Sequence, residues 1–287
     1  MDLRKAQRKQ AKIKLALQGP SGSGKTYSAL LLASGITDYS KIVVIDSENH
    51  SADLYAHLGE YNVLQLSKPF TPERYITAIE TCEEAGMEVI IIDSASHLWN
   101  ETGGILDIHS NMAGNSFQNW SKLTPRFNSF VQKVLESDCH IISTLRTKQD
   151  YVLSDKNGKM VPEKVGLKSI IRDGYDFEMT IVFDLDIKHN AVASKDRTGL
   201  FMDKPEAVIT QNYGKRILKW CNSGITVDEV KQQIQKSTSV VELRDILKTY
   251  PEYRNEIEAL AIKRKEALNA EIINATKIGT NGTGASK

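Results

Sequence analysis

Gly19, Gly24, Lys25 and Thr26 stand at the spacing G-x-x-x-x-G-K-[ST] within GPSGSGKT, residues 19–26. That composition suits a phosphate cradle. Backbone N–H groups can wrap an anion only where the chain tolerates positive φ and close approach, which glycine allows. In such a loop Gly19, Pro20, Ser21, Gly22, Ser23 and Gly24 form the cradle, Lys25 reaches the β- and γ-phosphates, and the Thr26 hydroxyl sits on Mg2+. Two apolar runs further along end in acids. VIIID delivers Asp93, in the setting of a Mg2+-side carboxylate, and VVIDSEN places Asp46 and Glu48 just beyond another run. A carboxylate there can orient and deprotonate a water for in-line attack on the γ-phosphate, whereas a small-molecule kinase does better to exclude that water. Glu48 therefore points to hydrolysis, and the predicted ligands are ATP and Mg2+.

Elements must bring these residues to one edge. Residues 11–18 carry Ile13, Leu15 and Leu17 in alternation and predict a strand entering the loop, while TYSALLLASGI (26–36) predicts a helix leaving it. That order aims the positive end of the helix dipole at the phosphates. KIVVID (41–46), YNVLQL (61–66), MEVIIID (87–93) and CHIISTL (139–145) read as further strands. Runs this apolar are buried on both faces, so the fold class is α/β, with a mostly parallel sheet covered by helices. Helices are predicted over 71–86, with Thr71 as N-cap and Pro72 at N1, and over 123–137.

The second half changes character. Residues 146–170 are polar and turn-rich and read as a long loop or a hairpin. Two β-runs follow over 177–201, with a turn near His189 and Asn190, and KRILKW (215–220) reads as one more short strand. From 223 the pattern is helical, with capping-box spacing at Thr226/Glu229 and Ser239/Glu242. The predicted division is a basic segment over 1–12, an ATPase core over 13–222, a helical region over 223–272 and a disordered Gly/Thr/Ser tail over 273–287.

Composition narrows the class. The chain has 287 residues, 40% hydrophobic and 25% charged, as a globular protein does. A net charge of +1 means that any nucleic-acid contact must come from local patches. Cys82, Cys139 and Cys221 are scattered without metal-ligand spacing and fit reduced thiols in the cytoplasm. No apolar run is long enough to span a bilayer, so no membrane partner is expected.

With these motifs in hand, the chain resembles the RecA/RadA recombinase core, collinearly over about 13–205. GPSGSGKT, VIDSEN and VIIIDSASHL are similar to that family's phosphate loop, strand-two glutamate motif and Walker B segment. The resemblance implies a RecA-like core with Glu48 as catalytic glutamate. It also implies Tyr55 as an adenine-stacking aromatic and Thr144 at the γ-phosphate-sensing position, where the bacterial recombinase has Gln. Lys195 and Arg197 in ASKDRTGLF match the family's Lys-x-Lys segment, whose cations reach a neighbouring subunit's ATP. Residues 101–120 and 147–169 occupy the slots of the family's two DNA-binding loops. The likeness is greatest to compact phage-encoded RecA-like ATPases of single-strand annealing and recombination, which share the basic lead-in RKAQRKQAKIKLALQ.

That likeness implies a homo-oligomer, ring or filament, with ATP at subunit interfaces, single-stranded DNA as ligand, and a partner such as a single-strand-binding protein in the host cytoplasm. From Arg146 to Arg172 seven basic residues face three acids. Arg146, Lys148, Lys156, Lys159, Lys164 and Lys168 are the candidate DNA contacts, with Phe117, Trp120 and Tyr151 as stacking faces. Two rival readings keep the phosphate loop: a regulatory scaffold of the same core acting on a protein partner without DNA, and a P-loop kinase, against which Glu48 argues.

Overall fold

The structure is a computed structural model that describes residues 11–156 and 159–280, without the side chains of 149–156, 159–166, 252 and 271–280. The basic segment read at 1–12 lies, up to residue 10, outside the described residues, as does the predicted tail beyond 280. Lys12–Trp220 form one compact unit and the helices from Cys221 onward a second.

In the first unit, β1 (Lys14–Gly19), β2 (Ile42–Asp46) and β4 (Val89–Asp93) are apolar and almost wholly buried. Strands buried on both faces need helices above and below. These are α1 (Lys25–Ile36), α2 (Pro72–Glu84), the short α3 (His97–Asn100) and α4 (Ile105–Asn111), and the long α5 (Ser116–Glu136). The sheet order is β3-β2-β4-β5-β1-β7-β8-β9, with β3 (Asn62–Gln65), β5 (His140–Lys156), β7 (Ile181–Leu185), β8 (Asn190–Asp196) and β9 (Ala207–Val208). Strands β3, β2, β4, β5, β1 and β7 run parallel, so the ends of β1, β2 and β4 that carry Gly19, Asp46 and Asp93 share one edge. This is the α/β fold of a P-loop NTPase, as the apolar runs predict.

β5 separates β1 from β4, with Leu17 opposite Thr144 and Ile92 opposite Ser143. Past Arg146 it pairs instead with β6 (Lys159–Ser169) in an antiparallel hairpin that runs out to the Lys156/Lys159 pair. The loop-or-hairpin alternative for 146–170 is thus a hairpin. After the four-residue α6 (Tyr175–Glu178), β7 and β8 form the expected second hairpin, turning through 186–189.

In this unit two elements differ from the sequence reading. KRILKW is not a strand but part of α7 (Gln211–Asn222). Its apolar residues Tyr213, Ile217 and Cys221 recur every fourth position, and its Gly214 meets Gly35 of α1 where a Cβ on either glycine would collide with backbone. Residues 101–120 are not an open loop either, since α4 and the start of α5 occupy most of them. Asn115 caps α5 by accepting the Gln118 N–H at 3.2 Å, so the helix begins at Ser116, seven residues ahead of the predicted start, and Pro125 is accommodated inside it.

The second unit packs α8 (Val227–Lys236), α9 (Val240–Thr249) and α10 (Arg254–Thr280) around Val230, Ile234, Leu243, Ile246, Tyr250 and Ile257. Thr226 and Glu229 form the full capping box. At α9 the Ser239 side chain accepts the Glu242 N–H, but Glu242 reaches back to Thr238. α10 continues as helix to Thr280, through 273–280, where the composition predicted disorder.

Candidate active site

β1 delivers the glycine loop, and α1 starts at Lys25 directly behind it. Gly22 and Gly24 take φ of 79° and 81°, a region in which side-chained residues are strained. A Cβ on Gly24 would stand 3.1 Å from Nδ1 of His189, so the turn between β7 and β8 lies over the loop. Lys25 Nζ folds back onto the carbonyls of Gly19 at 3.0 Å and Pro20 at 2.9 Å. Burial holds its pKa below the usual lysine value, and the nearby carboxylates of Asp93 and Glu48 oppose that shift. The Ser23 hydroxyl is buried with no hydrogen-bond partner among the described residues. A backbone cradle that a Cβ would fill, a half-desolvated ammonium and an orphaned hydroxyl fit a phosphate chain.

Thr26 and Asp93 come together. The Thr26 hydroxyl donates to Asp93 Oδ2 at 2.6 Å, and Thr144 donates to Oδ1 from the other side. Asp93 is fully buried, which raises its pKa, and the two hydroxyls oppose that rise. Thr144, equally buried, holds the Asp93 carboxylate through this hydrogen bond. The hard oxygens of Thr26 and Asp93 are the donor set that Mg2+ prefers.

The two acids after β2 divide their work. Asp46 is buried and accepts the backbone N–H groups of Glu48 and Ala52, fixing the turn. Glu48 points outward, and Arg146 grips its Oε1 through Nε and Nη2, both at 3.0 Å. His97 Nε2 lies 3.8 Å from the same oxygen, while its Nδ1 meets the Ser47 hydroxyl at 2.9 Å. Burial and the neighbouring Arg146 hold His97 below the usual histidine range. Sequence reasoning missed Ser47, His97 and His189. The motifs VIDSEN and DSASH contain the first two, but no spacing rule links them.

The other candidates scatter. Tyr55 packs its ring 5.9 Å from that of Tyr27, next to Thr26, and so reaches the loop's exit. Lys195 and Arg197 both donate to the Phe177 carbonyl, and Lys195 also to that of Asp176. The hydrogen bonds of these two side chains among the described residues are with α6, not with the phosphate loop. Arg146, read as a DNA contact, is engaged at the acid site and also lies 3.8 Å from Glu101. Lys148 is exposed, and Lys168 pairs with Asp173 at 2.8 Å. The side chains of Tyr151, Lys156, Lys159 and Lys164 lie outside the described residues.

The three cysteines are buried thiols, no three-residue cluster of metal-ligand side chains occurs among the described residues, and no helix there is long and apolar enough to cross a membrane. A family model described as an AAA domain matches residues 11–223. No curated protein matches the chain.

Proposed function

The chain belongs to the AAA domain family of P-loop ATPases, and from that premise we propose an ATP-dependent, oligomeric, RecA-like ATPase that binds single-stranded DNA and promotes strand annealing or exchange, as in phage recombination. One observation carries the reading beyond ATPase. Arg146, which holds Glu48, is the residue at which β5 leaves the sheet for the basic hairpin. An ion pair thus joins the acid to the root of the hairpin, so an event on one side can be felt on the other.

In this reading Lys25 turns from the Gly19 and Pro20 carbonyls to the β- and γ-phosphates of ATP. Thr26 and Asp93 would hold Mg2+, which would supply Lewis-acid chemistry to the phosphate chain. Thr144 keeps Asp93 aimed, and Tyr55 offers its ring to adenine. Glu48, once released by Arg146, takes a proton from a water whose oxygen bonds to the γ-phosphorus as the β–γ bridging bond breaks, leaving ADP and phosphate. Lys195 and Arg197 are assigned to the ATP of a neighbouring subunit. Arg197 suits that role because it is exposed and its planar fork pairs with phosphate oxygens.

The test is phosphate release by the purified protein with and without single-stranded DNA, beside a Lys25→Ala control. Stimulation by DNA that disappears in the control is expected. Hydrolysis indifferent to DNA, together with no DNA binding in ATP, would replace this reading with the regulatory scaffold.

A further inference from the structure

At the root of the hairpin, on the first unit, lies a cavity of about 680 Å3 whose wall includes Trp99 and Trp120 and whose basic residues are Lys148, Lys168 and Arg172. We infer that this cavity is a nucleotide pocket, which takes one base and its phosphate from a bound single strand. The inference rests on the single-strand reading above and specifies where the strand is held.

Three observations point to that ligand. The indoles of Trp99 and Trp120 lie 6.0 Å apart and 24° from parallel, and His109 stacks on Trp120 at 4.4 Å. A π-rich wall of this kind takes a planar aromatic group of any sequence. Lys148 and Lys168 are directly opposite one another in the β5–β6 register. Like charges in that arrangement repel, and the Asp173 carboxylate beside Lys168 offsets only one of them. A phosphate near both relieves the repulsion. Arg172, its Cζ 5.7 Å from the Phe127 ring centroid, has a buried Nη1 with no hydrogen-bond partner among the described residues. A desolvated guanidinium N–H left unpaired is costly, and a phosphate or base-carbonyl oxygen satisfies it.

A planar aromatic wall beside three cations, in a space within the range of small-molecule pockets, matches a nucleotide better than an acidic peptide, which has charge but no obligatory ring. The pocket is also separate from the ATP machinery: none of Lys25, Thr26, Glu48 and Asp93 lines it.

The test uses the full chain carrying Trp220→Phe, which leaves Trp99 and Trp120 as the only indoles. Indole emission and the anisotropy of a labelled oligo(dT) strand are followed together in ATP, with free dTMP and poly-glutamate as separate titrants. Expected are quenching that saturates in step with strand binding, little response to dTMP or poly-glutamate at equal phosphate or carboxylate concentration, and an affinity about tenfold lower in Arg172→Gln. Lys148→Gln, at an exposed position, carries the same expectation should Arg172→Gln not fold. Strand binding without quenching, and undiminished in Lys148→Gln, overturns the pocket and leaves the DNA reading standing. Equal quenching by dTMP reassigns the site to free nucleotides, and equal quenching by poly-glutamate to acidic peptides; either result overturns the inference. No strand binding in any nucleotide state removes the DNA reading itself, and the pocket's role with it.

Discussion

The guanidinium of Arg146 closes on a single oxygen of Glu48, with Nε and Nη2 each 3.0 Å from Oε1. Neither contact uses Oε2, and His97 approaches the same Oε1 at 3.8 Å. Held this way, the carboxylate proposed above as general base is occupied, because the charge that should draw a proton from water is already paired. The Arg146 side chain is 38% exposed and that of Glu48 25%, so the pair is partly solvated and weak enough to open.

Two variants separate holding from chemistry. Glu48→Gln is expected to lower kcat by about 10²–10⁴-fold while ATP still binds. Arg146→Ala is expected to raise DNA-free hydrolysis by about fivefold or less, the worth of a partly exposed ion pair, and to abolish stimulation by DNA. Steady-state phosphate release with nucleotide-binding measurements checks both. A fall in Arg146→Ala as deep as in Glu48→Gln would make Arg146 part of the chemistry rather than a latch.

Thr144 offers a second dissection. Its hydroxyl donates to Asp93 Oδ1 where both residues are buried, so Thr144→Val strands a desolvated carboxylate oxygen. The expected cost is about 1–3 kcal/mol of stability. Loss of the donor also leaves burial less opposed in raising the Asp93 pKa, so more Mg2+ should be needed for half-maximal hydrolysis. Thr144→Ser restores the donor and should rescue both thermal midpoint and Mg2+ response. A full thermal rescue without any Mg2+ effect in Thr144→Val would confine Thr144 to packing.

How much of this was legible in the chain depends on whether the signal is local. The phosphate loop, the acid-tipped apolar strands and the Thr226 capping box were readable because each is written in a few adjacent residues. KRILKW misled because six residues are too few to distinguish a strand from one amphipathic stretch of helix, and the deciding partner, Gly35, is far away in sequence. The contacts of Thr144 and Arg146 were not readable for another reason. Their roles depend on β5 lying between β1 and β4, which brings Thr144 under Asp93 and Arg146 beside Glu48. Strand order is a property of the sheet, and no motif records it.

His140 gives a prediction about stability that is independent of catalysis. It is buried at the start of β5, and its Nδ1 accepts the Ile13 N–H at 3.1 Å. Burial, followed by the charges of Lys12 and Lys14, lowers its pKa from 6.5 to about 3. Between those values the unfolded chain binds the proton and the folded chain does not. Stability from this residue is therefore complete above the unfolded pKa and falls as pH drops through the window, by up to about 1.4 kcal/mol per pH unit. His140→Asn keeps an acceptor for Ile13 and removes the titration. Urea midpoints taken at about pH 7 and about pH 5 should fall further for the parent than for the variant. Equal falls in both would show that His140 is not the group protonated on unfolding.

The hairpin makes the last prediction. Lys156 and Lys159 face each other across the end of the β5–β6 ladder, and any strand that follows the hairpin passes them. Each lysine that neutralises a phosphate on a single strand releases about 0.7 of a counterion. Losing both in Lys156→Gln/Lys159→Gln should reduce the steepness of log Kobs against log[salt] by about 1.4, with weaker binding at low salt and convergence with the parent at high salt. The effect should be the same for any base composition, because phosphate contacts carry no sequence information. This separates the hairpin from the pocket at its root. Lys148→Gln should shift the indole quenching to about tenfold higher strand concentration at a given salt, whereas the tip variant should lose that part of the salt steepness and leave the quenching at saturation intact. An unchanged slope in the tip variant would mean that DNA does not run along the hairpin, and the coupling argued through Arg146 would then need another input.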